Sequence, residues 1–497
     1  MSESRIPGVV DIVNGCREGS FTAEEILNVH IQRHLDTHGS INALIQQRHE
    51  AAALEARAIT SALAAHQLDW PLAGVPISVK ECFPVQDLQT TLGIPALRNN
   101  WDRSNAQIVQ RLQEAGALIV GKGNVPQAMF LHETFNPLWG RTLHPGNAQR
   151  SPGGSSGGDA ALVAAGVVPL AIGTDLAGSI RQPANACGIV GFVPRAEIFG
   201  DCGSHNTMPH LRFVQARTGL LGGRVADVRY AFDAIRGRQP PGTRNAPRLR
   251  VGWFDTCGPL ESVPAVRRAV HEAVAVISEQ GASVTKISSD LWEEAAWLLL
   301  ALLSADGSRD IKSLFEGGKP IPEVRHLLRI SGIPRCLRYP LAWTADLFGH
   351  HIESIALQAT GPRSESDHAL LGEKQKVICQ QFATLSSSYD AIICPVSSLP
   401  AMLHGLAGRL LVAALPCLAA NLCDLPAGVV PVTKVRANEE ECHQDKRDPV
   451  IRHAALNQEG STGLPVGVQI VGLKRDTCEG EDCVLDVMRC IEASVAG

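Results

Sequence analysis

Residues 22–35, TAEEILNVHIQRHL, carry apolar side chains at helical spacing behind a Thr22…Glu25 capping box, which predicts a helix. Ala51 to Ala65 reads as a second helix, rich in alanine. The period then changes. LAGVPISVK (72–80) is a short apolar run with β-branched residues, the pattern of a buried strand. SNAQIVQRLQEAGALIVGKGN (104–124) predicts a helix, a stop at Gly116 and another strand, and AALVAAGVVPLAIGTD (160–175) repeats the alternation. Beyond a Pro/Gly/Arg-rich connector at 237–248, LRVGWF, AVRRAVHEAVAVISEQ and ASVTKI read as strand, helix and strand. YDAIICPV (389–396), PAGVVPV (426–432) and GLPVGVQIVG (463–472) read as further buried strands, and RANEEECHQDKRD (436–448) as a charged surface loop. This alternation predicts an α/β protein whose large sheet is covered by helices on both faces. Residues 288–385 do not follow it and are expected to form a cap or insertion.

A length of 497 residues and a hydrophobic content of 45% are those of an ordinary globular chain with a large core. The net charge of −5 offers nucleic acid no electrostatic footing. MSESRIPGVVDIVNG lacks the basic start and apolar run of a secretory signal. The strongest apolar run, AAWLLLALLSA (295–305), is short of the roughly 20 residues that span a bilayer and reads as a buried helix. An intracellular protein is expected, with its 14 cysteines as free thiols. Cys442-His443 and the pair Cys478/Cys483 fit no common zinc spacing, so no metal site is expected.

Three polar features stand out from these apolar surroundings. Lys80 ends a strand, where a lysine usually snorkels to solvent. SPGGSSGG (151–158) sets Ser155 and Ser156 among four glycines. It lacks the Lys and Ser/Thr that follow a phosphate loop and has Asp159 instead, so an anion cradle is the weaker reading and a tight linker the plain one. GTDLAGSIRQPA (173–184) runs from an apolar strand through a small-residue turn to Ser179. Such a turn either aims successive backbone N–H groups at a developing oxyanion or serves only as a helix start. In the second case Ser179 is the N-cap and Asp175–Arg181 a structural ion pair.

Taken together, GVPISVKECF, SPGGSSGGDAALVAAG and AIGTDLAGSIRQPANACGIVGFVP resemble the amidase signature hydrolases. The likeness is densest over 70–195 and returns at YDAIICPV, CDLPAGVVPV and GLPVGVQIVG. Within the family, VKECF, NVPQAMF, NPLWGRTLHP and DLPAGVVPV are similar to the fatty acid amide hydrolase branch. The chain departs from the family at Ala177, where glycine is usual, and at GFVPR, which replaces G-x-K-P-T. The resemblance implies one amidase signature domain over 1–497 with a large mixed sheet. Helices at 1–66 precede a catalytic core at 67–236.

The resemblance also implies a division of labour. Lys80, Ser155 and Ser179 fall on the family's lysine and its two serines, with Ser155 in a cis peptide aimed at both Lys80 and Ser179. Ser179 needs a base, and no histidine occurs in these motifs. Burial would lower the lysine pKa from about 10.4 and make Lys80 that base. The backbone amides of Leu176, Ala177, Gly178 and Ser179 would hold the oxyanion, the Met129 backbone would lie beside the substrate, and Ser156, Asp175 and Arg181 would support the site. No metal or organic cofactor is required. The expected substrate is a small hydrophobic amide, probed by an acyl pocket around Met129, Phe130, Leu131 and Phe135. The alternatives on the same fold are an inactive scaffold and a glutamine-hydrolysing amidotransferase subunit. IPRCLRYPLAWTADLFGHH (333–351) interleaves Arg335 and Arg338 with Tyr339, Leu341, Trp343, Leu347 and Phe348, as an amphipathic segment at a bilayer surface does. Peripheral membrane contact without a spanning helix is therefore expected, and a homodimer is compatible with the reading.

Overall fold

The computed structural model describes residues 6–66, 70–238, 249–442, 444–474 and 479–495. Most of the connector at 237–248 and the residues His443 and Cys478 lie outside the described residues. The Thr22 capping box forms as the sequence predicts: Thr22 Oγ1 accepts from the Glu25 amide at 3.1 Å and Glu25 accepts from the Thr22 amide at 2.8 Å, starting the helix Ala23–Ile41. Gly116, at φ +88°, ends the helix Gln107–Glu114 before the next strand.

The strands in chain order are β1 (Leu44–Gln47), β2 (Pro76–Lys80), β3 (Leu118–Gly123), β4 (Phe135–Asn136), β5 (Gly140–Arg141), β6 (Leu170–Asp175), β7 (Val190–Val193), β8 (Arg217–Gly222), β9 (Arg250–Trp253), β10 (Ser283–Lys286), β11 (Ala391–Pro395), β12 (Ala427–Lys434) and β13 (Pro465–Gly472). β4 and β5 pair with each other, and the other eleven form one mixed sheet in the order β1-β3-β2-β6-β8-β7-β12-β13-β11-β9-β10. β2, β3, β6, β7, β8 and β11 are buried along their whole length. Helices on both faces produce this, and it explains why these strands read as continuous apolar runs rather than alternating ones.

The register positions the site. β2 runs parallel to both β3 and β6, with Val79 opposite Ile172 and Lys80 opposite Gly123. Lys80 and the Thr174-Asp175 end of β6 therefore leave the sheet at the same edge, where open α/β sheets place their ligands. Residues 288–385 are helical. The helices Asp290–Leu303, Arg309–Ser313, Pro322–Ser331, Arg335–Leu347, His351–Ala359 and Glu365–Leu385 stand between β10 and β11. The first contains residues 295–303 of the apolar run and buries Trp292, Ala295, Ala296, Leu299 and Leu302.

Candidate active site

Lys80 does not snorkel: its side chain is fully buried. Its Nζ lies 2.7 Å from Ser155 Oγ, 2.8 Å from Thr174 Oγ1 and 3.4 Å from the Thr174 carbonyl. Burial pushes the ammonium pKa down, against the opposing pull of nearby Cys82, Asp159, Asp175 and Glu81. Nζ donates in all three contacts, to Ser155 and to the hydroxyl and carbonyl of Thr174. Thr174 escaped the sequence reading although it stands inside the GTD motif. The Ser78 hydroxyl donates to Asp159 at 2.8 Å, and burial raises the Asp159 carboxyl to about 7.

The loop at 151–158 is no linker. The Gly154–Ser155 peptide is cis. A Cβ on Gly158 would stand 2.1 Å from the Asn124 amide, so only glycine lets the loop approach the chain beyond β3 this closely. Ser156 ties the loop to the turn after β6: its amide donates to the Ser179 carbonyl at 3.1 Å. The resemblance implied a Ser155 hydroxyl aimed at both Lys80 and Ser179. It contacts Lys80, while the Ser155 and Ser179 hydroxyls share a cavity wall without a hydrogen bond between them.

The turn after β6 corrects two expectations. Ser179 is not the N-cap of the helix Arg181–Cys187, because Ile180 occupies that position. The Asp175 carboxylate performs the capping instead, accepting from the amides of Gly178 (2.8 Å), Ile180 (3.0 Å) and Arg181 (3.4 Å). The Gly178 amide is thereby occupied and unavailable to an oxyanion. The amides of Leu176, Ala177 and Ser179 meet no acceptor among the described residues, which leaves three donors rather than four. Gly178 sits at φ +90°, a conformation that favours glycine, whereas Ala177 has no positive φ and its methyl group is accommodated on a cavity wall.

Asp175 and Arg181 form the anticipated ion pair at 2.9 Å, fully buried. Burial opposes the Asp175 charge, but the Arg181 guanidinium and its hydrogen bonds outweigh it and hold the carboxyl far below the usual range. Arg181 also donates to the Cys417 carbonyl and to Gln469 Oε1, both at 2.6 Å, and to Asn421.

Two cavities meet at Ser179. The larger, about 320 Å³, is walled by Met129, Phe130, Leu131, Trp297, Leu300 and Leu303 among other apolar side chains. The smaller, about 190 Å³, is lined by Ser155, Asp201, His205, Asn206 and Gln215 on its polar side. Leu176, Met129 and Phe130 border both. Ala128 and Met129 hold φ +57° and +56°, a region non-glycine residues rarely occupy and one found at ligand contacts. Phe135 does not line the larger cavity; its ring packs under the Arg141 guanidinium. The wall from Asp290–Leu303 was not legible as a site, since its residue types are those of any core helix.

The segment at 333–351 forms the helix Arg335–Leu347 and leaves Tyr339, Leu341, Trp343, Leu347 and Phe348 exposed. Arg338 belongs to the interior instead. It donates to the carbonyls of Ile330, Ile333 and Leu357, and burial lowers its pKa to about 10. Among the described residues no helix is long and apolar enough to cross a membrane. One group among them brings three metal-capable side chains together, His210, Asp306 and Asp310, which sequence spacing did not reveal. Its carboxylates already accept the amides of Ser308, Asp310 and His210.

The architecture is that of the amidases. A solved fatty acid amide hydrolase superposes with a TM-score of 0.81 at 18% identity, covering 99% of this chain and 85% of that one. The Amidase family model matches residues 25–479, and the chain belongs to that family as an amidase signature hydrolase. It is 29% identical over 511 residues to fatty-acid amide hydrolase 1 of Sus scrofa, covering 98% of this chain and 85% of the relative. It is 31% identical over 406 residues to a glutamyl-tRNA(Gln) amidotransferase subunit of Acidothermus cellulolyticus, covering 76% of this chain and 77% of the relative.

Proposed function

We propose that the chain hydrolyses amides of long apolar carboxylic acids, fatty acid amides in particular, through an acyl-enzyme on Ser179. The observation that carries this reading is the apolar cavity of about 320 Å³ opening on Ser179, a volume within the range of small-molecule sites. Neutral Lys80 takes the Ser155 proton as Ser155 takes the Ser179 proton. Ser179 Oγ attacks the carbonyl carbon, and the amides of Leu176, Ala177 and Ser179 receive the negative oxygen. When the C–N bond breaks, the proton returns from the Lys80 ammonium through Ser155 to the departing amine. Water then cleaves the acyl ester by the same relay. Asp175 and Arg181 hold the turn, and Ser156 holds the loop. The acyl chain occupies the apolar cavity beside Met129 and Phe130. The polar cavity receives the amine.

The test is a panel of amides with varied acyl length and head group, read by mass spectrometry with Ser179→Ala as control. Turnover that rises with acyl length supports the reading. Turnover of glutamine in preference to every acyl amide favours an amidotransferase role, for which the 31% likeness to the Acidothermus protein speaks. Failure of a fluorophosphonate to label Ser179 favours an inactive scaffold.

A further inference from the structure

His132 lies three residues after Met129, and no motif of the sequence marks it. Its Nε2 is 3.0 Å from the carbonyl oxygen of Ala177. A carbonyl only accepts, so Nε2 carries the proton and Nδ1 is bare. Nδ1 is buried and meets no donor. Burial lowers the imidazole pKa, which keeps the ring neutral in this tautomer.

The bond matters because of what lies at the other end of the same peptide unit. The Gly178 amide donates to Asp175 Oδ1 at 2.8 Å. The Ala177–Gly178 peptide is thus held at both ends, its oxygen by His132 and its hydrogen by Asp175. It sits between the two unengaged amides of Ala177 and Ser179. Without the His132 bond only the Asp175 contact would fix the plane of this peptide, beside a glycine at φ +90°. A tilted peptide swings the neighbouring amides of Ala177 and Ser179 out of line with the place where negative charge must be received.

We propose that His132 is a positioning residue that fixes the plane of the Ala177–Gly178 peptide and so keeps the flanking amides of Ala177 and Ser179 aimed at the oxyanion site. The inference rests on the acyl-enzyme reading above. It assigns His132 no proton transfer to the substrate. Its effect falls on the transition state more than on ground-state binding.

The experiment compares wild type with two donorless variants, His132→Phe and His132→Leu, and with His132→Gln, whose side-chain amide retains a donor. Each is assayed on one long-chain amide, and each is titrated with the matching trifluoromethyl ketone, which forms a tetrahedral oxyanion on the serine. Direct removal of an oxyanion donor costs about 10²–10³ in kcat. Loss of an indirect support should cost less, about 10–100-fold. The expected result is that loss in kcat for Phe and Leu, KM within about twofold, weaker ketone affinity by the same factor, and recovery of most of both in Gln. A folded Phe or Leu variant with wild-type kcat and ketone affinity overturns the proposal while leaving the acyl-enzyme reading intact. A loss confined to KM, or a folded Gln variant no better than Phe, overturns it as well. A wild type that turns over no amide and is not labelled by fluorophosphonate overturns both.

Discussion

Replacing Lys80 by alanine separates two tasks that the proposed mechanism gives to one atom. In that mechanism Nζ acts on Ser179 through Ser155, which it contacts at 2.7 Å. As a base, Lys80 activates Ser179 for any acyl substrate. As an acid, it must also protonate the leaving group. An amide cannot expel an amine anion and needs both tasks, whereas an ester depends mainly on the first. Each general acid or base contribution is worth roughly 10²–10⁴-fold. The variant should therefore lose about 10⁴–10⁸ on an oleoyl amide and about 10²–10⁴ on the matched methyl ester. The amide-to-ester ratio falls by about 10²–10⁴. Burial lowers the Lys80 pKa, so wild-type activity rises through that lowered value; without the lysine, hydroxide must replace it and both profiles move to higher pH. The assay is kcat/KM for the two substrates between pH 6 and 10. Equal losses on amide and ester, or amide turnover near wild type at neutral pH, would refute the reasoning.

Phe130→Ala should weaken long-chain amides more than short ones, by about 0.8 kcal/mol for each substrate methylene left uncovered, and equal losses on acetyl and oleoyl amides would remove Phe130 from the acyl site. Wild type should sediment with liposomes, while a variant with Leu341, Trp343, Leu347 and Phe348 made polar should stay in solution; wild type in the supernatant sinks membrane contact. Burial lowers His30 to about 4, against about 6.5 when unfolded, so the unfolded chain binds the extra proton between these values and stability must rise with pH across that window. The contribution of His30 is about 3 kcal/mol, and His30→Gln should flatten the pH dependence of urea unfolding between pH 4 and 6.5; an unchanged slope contradicts it.

Legibility followed contrast. Lys80, Ser155 and Ser179 stood out as polar residues in apolar or glycine-rich runs, but their roles came only from the family resemblance. Strand β2, strand β6 and the stop at Gly116 followed from period and punctuation. Strands β1, β7 and β8 were not singled out: β1 is four residues long, and β8, RTGLLG, contains two glycines that weaken a strand reading. Arg338 has the composition of a surface cation and became interior because helix-end carbonyls needed a donor. The Asp175 cap could not be told from a Ser179 cap, since both residues favour that role and only the fold decides between them. His132 carries no local signal; its part depends on a carbonyl 45 positions away.

The anchor of the turn after β6 bears on the order in which the molecule comes into being. Lys80, Ser155 and Ser179 all lie in the first 180 residues, and a growing chain acquires them early. Arg181, which holds Asp175, finds its remaining acceptors on residues 417, 421 and 469. Translation proceeds from the N-terminus, so the guanidinium waits for segments more than 230 positions downstream. Ser179 is thus made long before the residues that anchor its turn. A fragment ending before β13 carries Lys80, Ser155 and Ser179 without all of the acceptors that hold Arg181.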